Sequence, residues 1–306
     1  MMIPPISRRE ALRKLYQIAV SVGATSFLTF DDLLQASQRT NPVPSVVWLH
    51  GSSCTGCTCS LLNIEEVPLV QLITQFMDLT FHPDISSATG EQVVSILTAL
   101  LESDRKFILL FEGGLPVDLP HACLMADRPM SEWVSRLGNK AEAAIAIGTC
   151  AALGGIPKMA GTLTGSHTLS EFFKKEGIST PVINLPTCPI KPEHLVYTLL
   201  YYSKFKKPPE MDAMNRPKTF FGKTVHERCI YYADFQEDNF AKRIGEDGCL
   251  FKLGCQGPIT YNDCLINGFN SNTNICIRAG HPCIGCASVQ FPRKIMMHRF
   301  DDVRQS

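Results

Sequence analysis

The 306-residue chain has no surplus of charge, with 29 Lys and Arg standing against 29 Asp and Glu. That balance leaves no basic footprint for neutralising phosphates, which excludes nucleic acid as a partner. No run of 18 or more consecutive apolar residues occurs, so no transmembrane segment is expected in the mature chain. The 13 cysteines are odd in number and unevenly placed, unlike the framework of a small disulfide scaffold. Neither C-x-x-C pair at issue is followed by His, since Thr58 follows Cys57 and Ala287 follows Cys286, which excludes covalent haem. With those uses removed, metal binding is the leading explanation for so many thiols. The length fits two domains with room for a sizeable core.

What is present begins at the N-terminus. Ser7-Arg8-Arg9-Glu10-Ala11-Leu12, followed by a moderately apolar run from Leu15 to Phe30, resembles a twin-arginine export signal. It departs from that pattern at Ala11, where Phe is usual, and in lacking a clean small-x-small cleavage site. Ala36 is the best candidate, so residues 1–36 read as a signal. The mature chain is then expected in the periplasm or on the outer face of the cytoplasmic membrane. The alternative is a cytoplasmic protein whose Leu12, Leu15, Tyr16, Ala19 and Val20 share helical spacing and pack an amphipathic helix on the body.

From Ser45 onward short apolar runs alternate with helix-period stretches, which predicts an α/β fold with a doubly wound parallel sheet. The strands are expected at Val46–Leu49, Leu79–Phe81, Phe107–Phe111, Ala144–Ile147 and Val182–Leu185. Helices are expected at Leu69–Phe76, Glu91–Glu102, Glu132–Lys140, Leu169–Lys175 and Glu193–Ser203. Cys54 and Cys57 follow the first strand, Cys150 the fourth and Cys188 the fifth. In a doubly wound sheet the C-terminal strand ends lie side by side, so four thiols distant in sequence are placed to meet. Taken singly, Cys150 or Cys188 reads as a buried small apolar residue; beside a C-x-x-C at another strand end, each reads as a ligand.

Beyond about Lys204 the rhythm stops, and the last hundred residues are rich in Gly, Asn and Cys. Few long apolar runs remain to build a core, so ligands must supply part of the order. Spacing divides the donors into two fours: His226-x-x-Cys229 with Cys249 and Cys255, then Cys264 and Cys276 with Cys283-x-x-Cys286. Sets of four suit tetrahedral zinc as readily as a cubane cluster, so donor number alone leaves a zinc-stabilised structural or interaction protein open.

Longer motifs narrow the choice. Ser45-Val46-Val47-Trp48-Leu49-His50-Gly51-Ser52-Ser53-Cys54-Thr55-Gly56-Cys57 is similar to the opening of the mature small subunit of nickel-iron hydrogenases. So are Glu112-Gly113, Ile147-Gly148-Thr149-Cys150-Ala151, Gly154-Gly155-Ile156-Pro157, Asn184-Leu185-Pro186-Thr187-Cys188-Pro189, Gly254-Cys255-Gln256-Gly257-Pro258 and His281-Pro282-Cys283-Ile284-Gly285-Cys286. The similarity runs in order from about residue 44 to about 292. One departure is Thr187, where the family motif has Gly.

The resemblance implies a flavodoxin-like domain, residues 44–205, carrying a proximal 4Fe-4S cluster on Cys54, Cys57, Cys150 and Cys188. It implies an irregular C-terminal domain, residues 206–306, carrying a distal 4Fe-4S cluster on His226, Cys229, Cys249 and Cys255. The medial cluster falls to Cys264, Cys276, Cys283 and Cys286. Many relatives carry proline at the position of Cys276; a thiol there implies four irons in the medial cluster. Gly56 and Gly155 stand where oxygen-tolerant relatives add cysteines, which implies an ordinary proximal cluster. The nickel-iron site is expected on a partner large subunit, because its Asp-Pro-Cys-x-x-Cys-x-x-His pattern is missing: His281 and Val289 stand at the diagnostic places. The implied function is electron relay from hydrogen oxidation to an external acceptor such as a cytochrome or membrane subunit. A hydrogen-sensing member of the family is the alternative within it. Cys59 and Cys123 are left over. Cys59 reads as a packed thiol near the proximal cluster, or as a ligand that swaps in on oxidation. Glu112 reads either as tuning the proximal site or as a structural carboxylate.

Overall fold

The computed structural model describes residues 44–292 apart from 65–68 and 160–162, together with Glu10, Arg13 and Tyr16. Arg8, Arg9 and Ala36, on which the export reading rests, lie outside the described residues. Of that segment, Glu10, Arg13 and Tyr16 are helical, and Tyr16 packs half-buried against the core.

The five expected strands form one parallel sheet: β1 (Ser45–His50), β2 (Asp78–Phe81), β3 (Ile108–Glu112), β4 (Ala143–Ile147) and β5 (Val182–Leu185). Their spatial order is β2-β1-β3-β4-β5, the flavodoxin-like order of a doubly wound sheet. Register pairs Trp48 with Leu110 and Leu110 with Ile145 across the three central strands. Alternation splits each strand between two cores. Val46, Trp48, Ile108, Leu110, Ile145 and Ile183 face one layer; Val47, Leu49, Leu109, Phe111, Ala144 and Ala146 face the other. Central strands buried on both faces read as continuous apolar runs, which is why these stand out in the sequence.

Helices cover both faces. After the short α1 (Gly56–Ser60) come α2 (Glu91–Glu102), α3 (Met130–Gly138), α4 (Gly148–Leu153), α5 (Leu169–Glu176) and α6 (Pro192–Phe205). Helix α2 buries Val93, Leu97 and Leu100, an i, i+4, i+7 stripe. Helix α5 opens on a capping box between Thr168 and Glu171 and stops at Gly177, φ 68°. Helix α3 starts two residues before the expected Glu132, because Pro129 ends a small hairpin and leaves Met130 to begin the helix directly. The helix expected over Leu69–Phe76 is one α-turn, Leu69–Gln71, followed by a wider turn closed by Met77 N donating to the Leu72 carbonyl. There the Thr74 hydroxyl donates to the Val70 carbonyl at 2.6 Å, competing with the ordinary backbone partner.

Residues 206–292 contain only short helices and three-ten turns, such as Lys218–Phe221 and Tyr232–Gln236. Their apolar cluster is small, Val225, Ile275 and Ile277 with Cys283, and Cys229, Cys255 and Cys264 pack against it. Thiols therefore stand inside what core there is. No helix among the described residues is long and apolar enough to cross a membrane.

Candidate metal centres

The sheet order reverses between β1 and β3, and the crevice beyond their C-terminal ends is where ligands bind in such folds. Gly51 N donates to the Glu112 carbonyl at 2.7 Å and Ser52 N to the Gly114 carbonyl at 2.8 Å, so the loops after β1 and β3 run together. Thr55, at φ 63°, turns the chain into α1, which carries Cys57. Gly148 at the end of β4 has φ +78°, and a Cβ there would collide with Cys57 Sγ. Only glycine permits that approach between the β1 and β4 ends. Cys150 follows on α4, and Cys188 follows β5.

The electrostatics group these four thiols. Burial pushes Cys57 up, and Glu112, Cys188 and Cys150 push it further. Burial raises Cys150 to about 11, with Cys188 and Cys54 adding to it, and raises Cys188 with Cys54 next. The C-terminal thiols divide less cleanly. Burial raises Cys229, with Cys255 and Cys249 contributing, and raises Cys249, with Cys255 contributing. His226, on the three-ten turn His226–Arg228, lines a small cavity with Cys229, Cys249 and Cys255. Burial lifts Cys286, as do Cys264, Cys283 and Cys276, and lifts Cys283 to about 12, where Cys255 and then Cys264 add to it across the boundary between the two sets. In each set the desolvated thiols repel one another's charge, so deprotonation needs a cation; bound iron or zinc reverses that balance.

The chemistry of each set, thiols with at most one imidazole, fits the ligation of an iron-sulfur group. Among the described residues, the one group of three or more His, Cys, Asp or Glu donors lying within 4.8 Å of one another is His50, His82 and Asp84.

The His50 group belongs to a hydrogen-bond network that the sequence did not announce. Buried Glu112 accepts from Ser53 Oγ at 2.8 Å and Cys57 N at 3.2 Å through one oxygen. Its other oxygen accepts from Thr58 N at 3.1 Å and Thr58 Oγ1 at 2.7 Å, with His50 Nε2 at 3.2 Å. Burial raises the Glu112 pKa, but the His50 and Thr58 hydrogen bonds outweigh it and leave the pKa below the ordinary value. His82 is held down to about 4, first by burial and then by His50. Its Nδ1 accepts from Asp84 N at 3.0 Å, so that nitrogen is already engaged. Glu112 thus fixes the backbone at Cys57, which makes it more than a strand-end carboxylate.

Cys59 is exposed on this chain, not packed within it. Cys123 is the packed one, half-buried against the sheet's second core with its thiol 3.8 Å from the His50 carbonyl. A Cβ at Gly155 would lie 3.0 Å from Cys150 Sγ, so that glycine borders the third thiol.

Comparison with known proteins agrees with this arrangement. Residues 221–299 match the family model for the C-terminal part of the NiFe/NiFeSe hydrogenase small subunit, and residues 54–202 match that of the 20 Kd subunit of NADH ubiquinone oxidoreductase. The periplasmic [NiFeSe] hydrogenase small subunit of Desulfomicrobium baculatum is 33% identical over 305 residues, covering 94% of this chain and 96% of that one. The periplasmic [NiFe] hydrogenase small subunit 1 of Nitratidesulfovibrio vulgaris is 37% identical over 294 residues, covering 94% and 90%. The crystal structure of the reduced, active D. baculatum Ni-Fe-Se hydrogenase superposes with a TM-score of 0.77 at 34% identity, over 82% of this chain and 96% of that chain. Strand order, strand-end thiols and full-length similarity agree: the chain belongs to the small subunits of nickel-iron hydrogenases.

Proposed function

We propose that this chain is the electron wire between a partner large subunit, which holds the nickel-iron site where hydrogen is oxidised, and an external acceptor such as a cytochrome or membrane subunit. Three iron-sulfur clusters, when bound, supply one-electron redox centres. Cys54, Cys57, Cys150 and Cys188 hold the proximal one, Cys264, Cys276, Cys283 and Cys286 the medial, and His226, Cys229, Cys249 and Cys255 the distal. All three are of the 4Fe-4S type. The chain divides into a sheet domain over 44–205 and a cluster-bearing domain over 206–306.

The observation that carries this reading is that the three donor sets are joined in line. Thr149, beside Cys150, donates its hydroxyl to the Cys286 carbonyl, which ties the first set to the second. Cys283 N donates to Cys255 Sγ at 3.3 Å, and Gln256 N to the Cys283 carbonyl at 2.8 Å, which ties the second to the third. Half-buried His226 lies at the far end, its ring edge-on to Phe235 at 4.5 Å and Tyr232 at 5.1 Å. A neutral imidazole in place of a thiolate lowers the negative charge of that set by one, which favours acceptance of an electron at the exit.

Export to the periplasm by the twin-arginine route, after cluster assembly in the cytoplasm, is part of the proposal; two relatives named above are described as periplasmic. The test is metal analysis of the purified complex with hydrogen-dependent dye reduction. About twelve iron and twelve sulfide per small subunit are expected. Stoichiometric zinc without sulfide would refute the relay.

A further inference from the structure

Lys191, His194 and Asp263 form a charged group from which water is excluded: all three are 0% exposed. Lys191 immediately precedes α6, and its Nζ donates to Asp263 Oδ1 at 2.6 Å and to the Asn267 carbonyl. The ammonium also lies 5.3 Å from the centre of the Phe269 ring. His194 donates from Nε2 to both Asp263 oxygens at 3.1 Å and stacks on Phe220 at 4.0 Å. Its Nδ1 has no partner. Burial holds the ring neutral, so the group carries one positive and one negative charge.

A buried ion pair contributes little net stability, because desolvating both ions offsets most of their attraction. The field it projects onto its neighbours is a different matter, since screening there is weak. Asp263 is covalently next to Cys264, and the 263–269 loop that carries Cys264 wraps the ammonium. Lys191 lies three residues past Cys188 in the chain, while its ammonium is held by the loop that carries Cys264.

Resting on the cluster reading above, we infer that Lys191 is a potential-setting residue, a fixed cation that raises the reduction potential of the cluster held by Cys264, Cys276, Cys283 and Cys286. The fourth thiolate, from Cys276, adds negative charge and makes this cluster harder to reduce than a three-thiolate one. Lys191 offsets that charge from within the loop that carries Cys264, which keeps the second set a willing acceptor. Asp263, oriented by His194, is the positioning partner that fixes where the ammonium sits.

The test is a redox titration of the assembled heterodimer, followed by electron paramagnetic resonance. In Lys191→Met, the ratio of reduced to oxidised medial cluster at the wild-type midpoint should fall about tenfold, equivalent to about 59 mV for one electron, with smaller changes at the other two clusters. Lys191→Arg, which keeps the charge, should hold the midpoint near wild type. An unmoved medial midpoint in Lys191→Met, or equal shifts for Met and Arg, overturns the assignment. If Lys191→Met loses the cluster by leaving Asp263 unpaired, Lys191→Met/Asp263→Asn is read against Asp263→Asn. The double variant differs from that single variant only by the missing cation, so its medial midpoint should lie lower; an equal or higher midpoint overturns the inference. The wild-type spectrum separates the two levels of argument. A wild-type complex with no cluster on these cysteines removes the relay reading, whereas a cluster present with an unmoved midpoint removes only the role of Lys191.

Discussion

Glu112→Gln should destabilise the subunit without changing a single metal donor. The glutamine keeps the shape and one acceptor oxygen but puts an NH2 where the second oxygen was. If the NH2 takes the place facing Ser53 and Cys57, the Ser53 hydroxyl can rotate to accept, while Cys57 N loses its acceptor. If it takes the other place, Thr58 Oγ1 can rotate, while Thr58 N loses its acceptor. Either way one buried backbone N–H is left facing a donor, at a cost of about 1–3 kcal/mol, and the remaining bonds lose the assistance of a charge. A total of about 2–4 kcal/mol follows. At roughly 2 °C per kcal/mol for a body of this size, the thermal midpoint of the assembled complex should fall by about 4–8 °C, with earlier loss of iron to a chelator. Scans must share one rate, since such unfolding is kinetically controlled. The pH dependence has a fixed sign. Glu112 has its pKa lowered by folding, so its contribution is present above the ordinary carboxylate value near 4.3 and is lost as pH falls through the folded value. The gap between wild type and Glu112→Gln should therefore hold at neutral pH and narrow only as the pH falls below the ordinary carboxylate value. Glu102→Gln, at an exposed helix end, should stay within about 0.5 kcal/mol. A Glu112→Gln complex as heat-stable as that control at neutral pH would refute the reasoning.

Three further outcomes are expected. Cys276→Ser should convert the medial cluster to a three-iron form with a raised potential, seen as a 3Fe-4S resonance in the oxidised protein; the same resonance at full stoichiometry in wild type would show that Cys276 ligates nothing. Arg8→Lys with Arg9→Lys should retain the folded complex in the cytoplasm, and arrival of the double variant in the wild-type compartment would exclude the twin-arginine route. Cys59→Ser should leave the proximal spectrum and the recovery of activity after oxygen unchanged, because Cys54, Cys57, Cys150 and Cys188 already complete the proposed proximal set; a sharp loss of recovery would make Cys59 a ligand that swaps in on oxidation.

The frame of this protein was legible because its strands are buried on both faces. Val46–Leu49 and Phe107–Phe111 read as unbroken apolar runs, and each was followed by a glycine or cysteine that marked a strand end. The proposed donor sets rest on the spacing of thiols along the chain, since chemistry this specific leaves few other uses for such residues. The hairpin Leu124–Met125 with Arg128–Pro129 was not legible: two residues a side are too few for any period to register. Nor was the wide turn after Gln71, which depends on one threonine hydroxyl and not on the apolar rhythm around it.

The buried polar residues were the least legible, and for a physical reason. Nothing local distinguishes Lys191 or Asp263 from a solvated surface charge, because what buries them is the return of the chain 72 residues later. His50, Thr58 and His82 likewise converge from β1, α1 and the end of β2 onto Glu112 at the end of β3. These residues bond the sulfur-bearing loops instead of supplying donors to them, so spacing rules built on ligands pass over them. A fold that places strand ends side by side brings together both the thiols and the buried charges beside them. Only the thiols leave a spaced motif in sequence; the charges become visible once the sheet order is known.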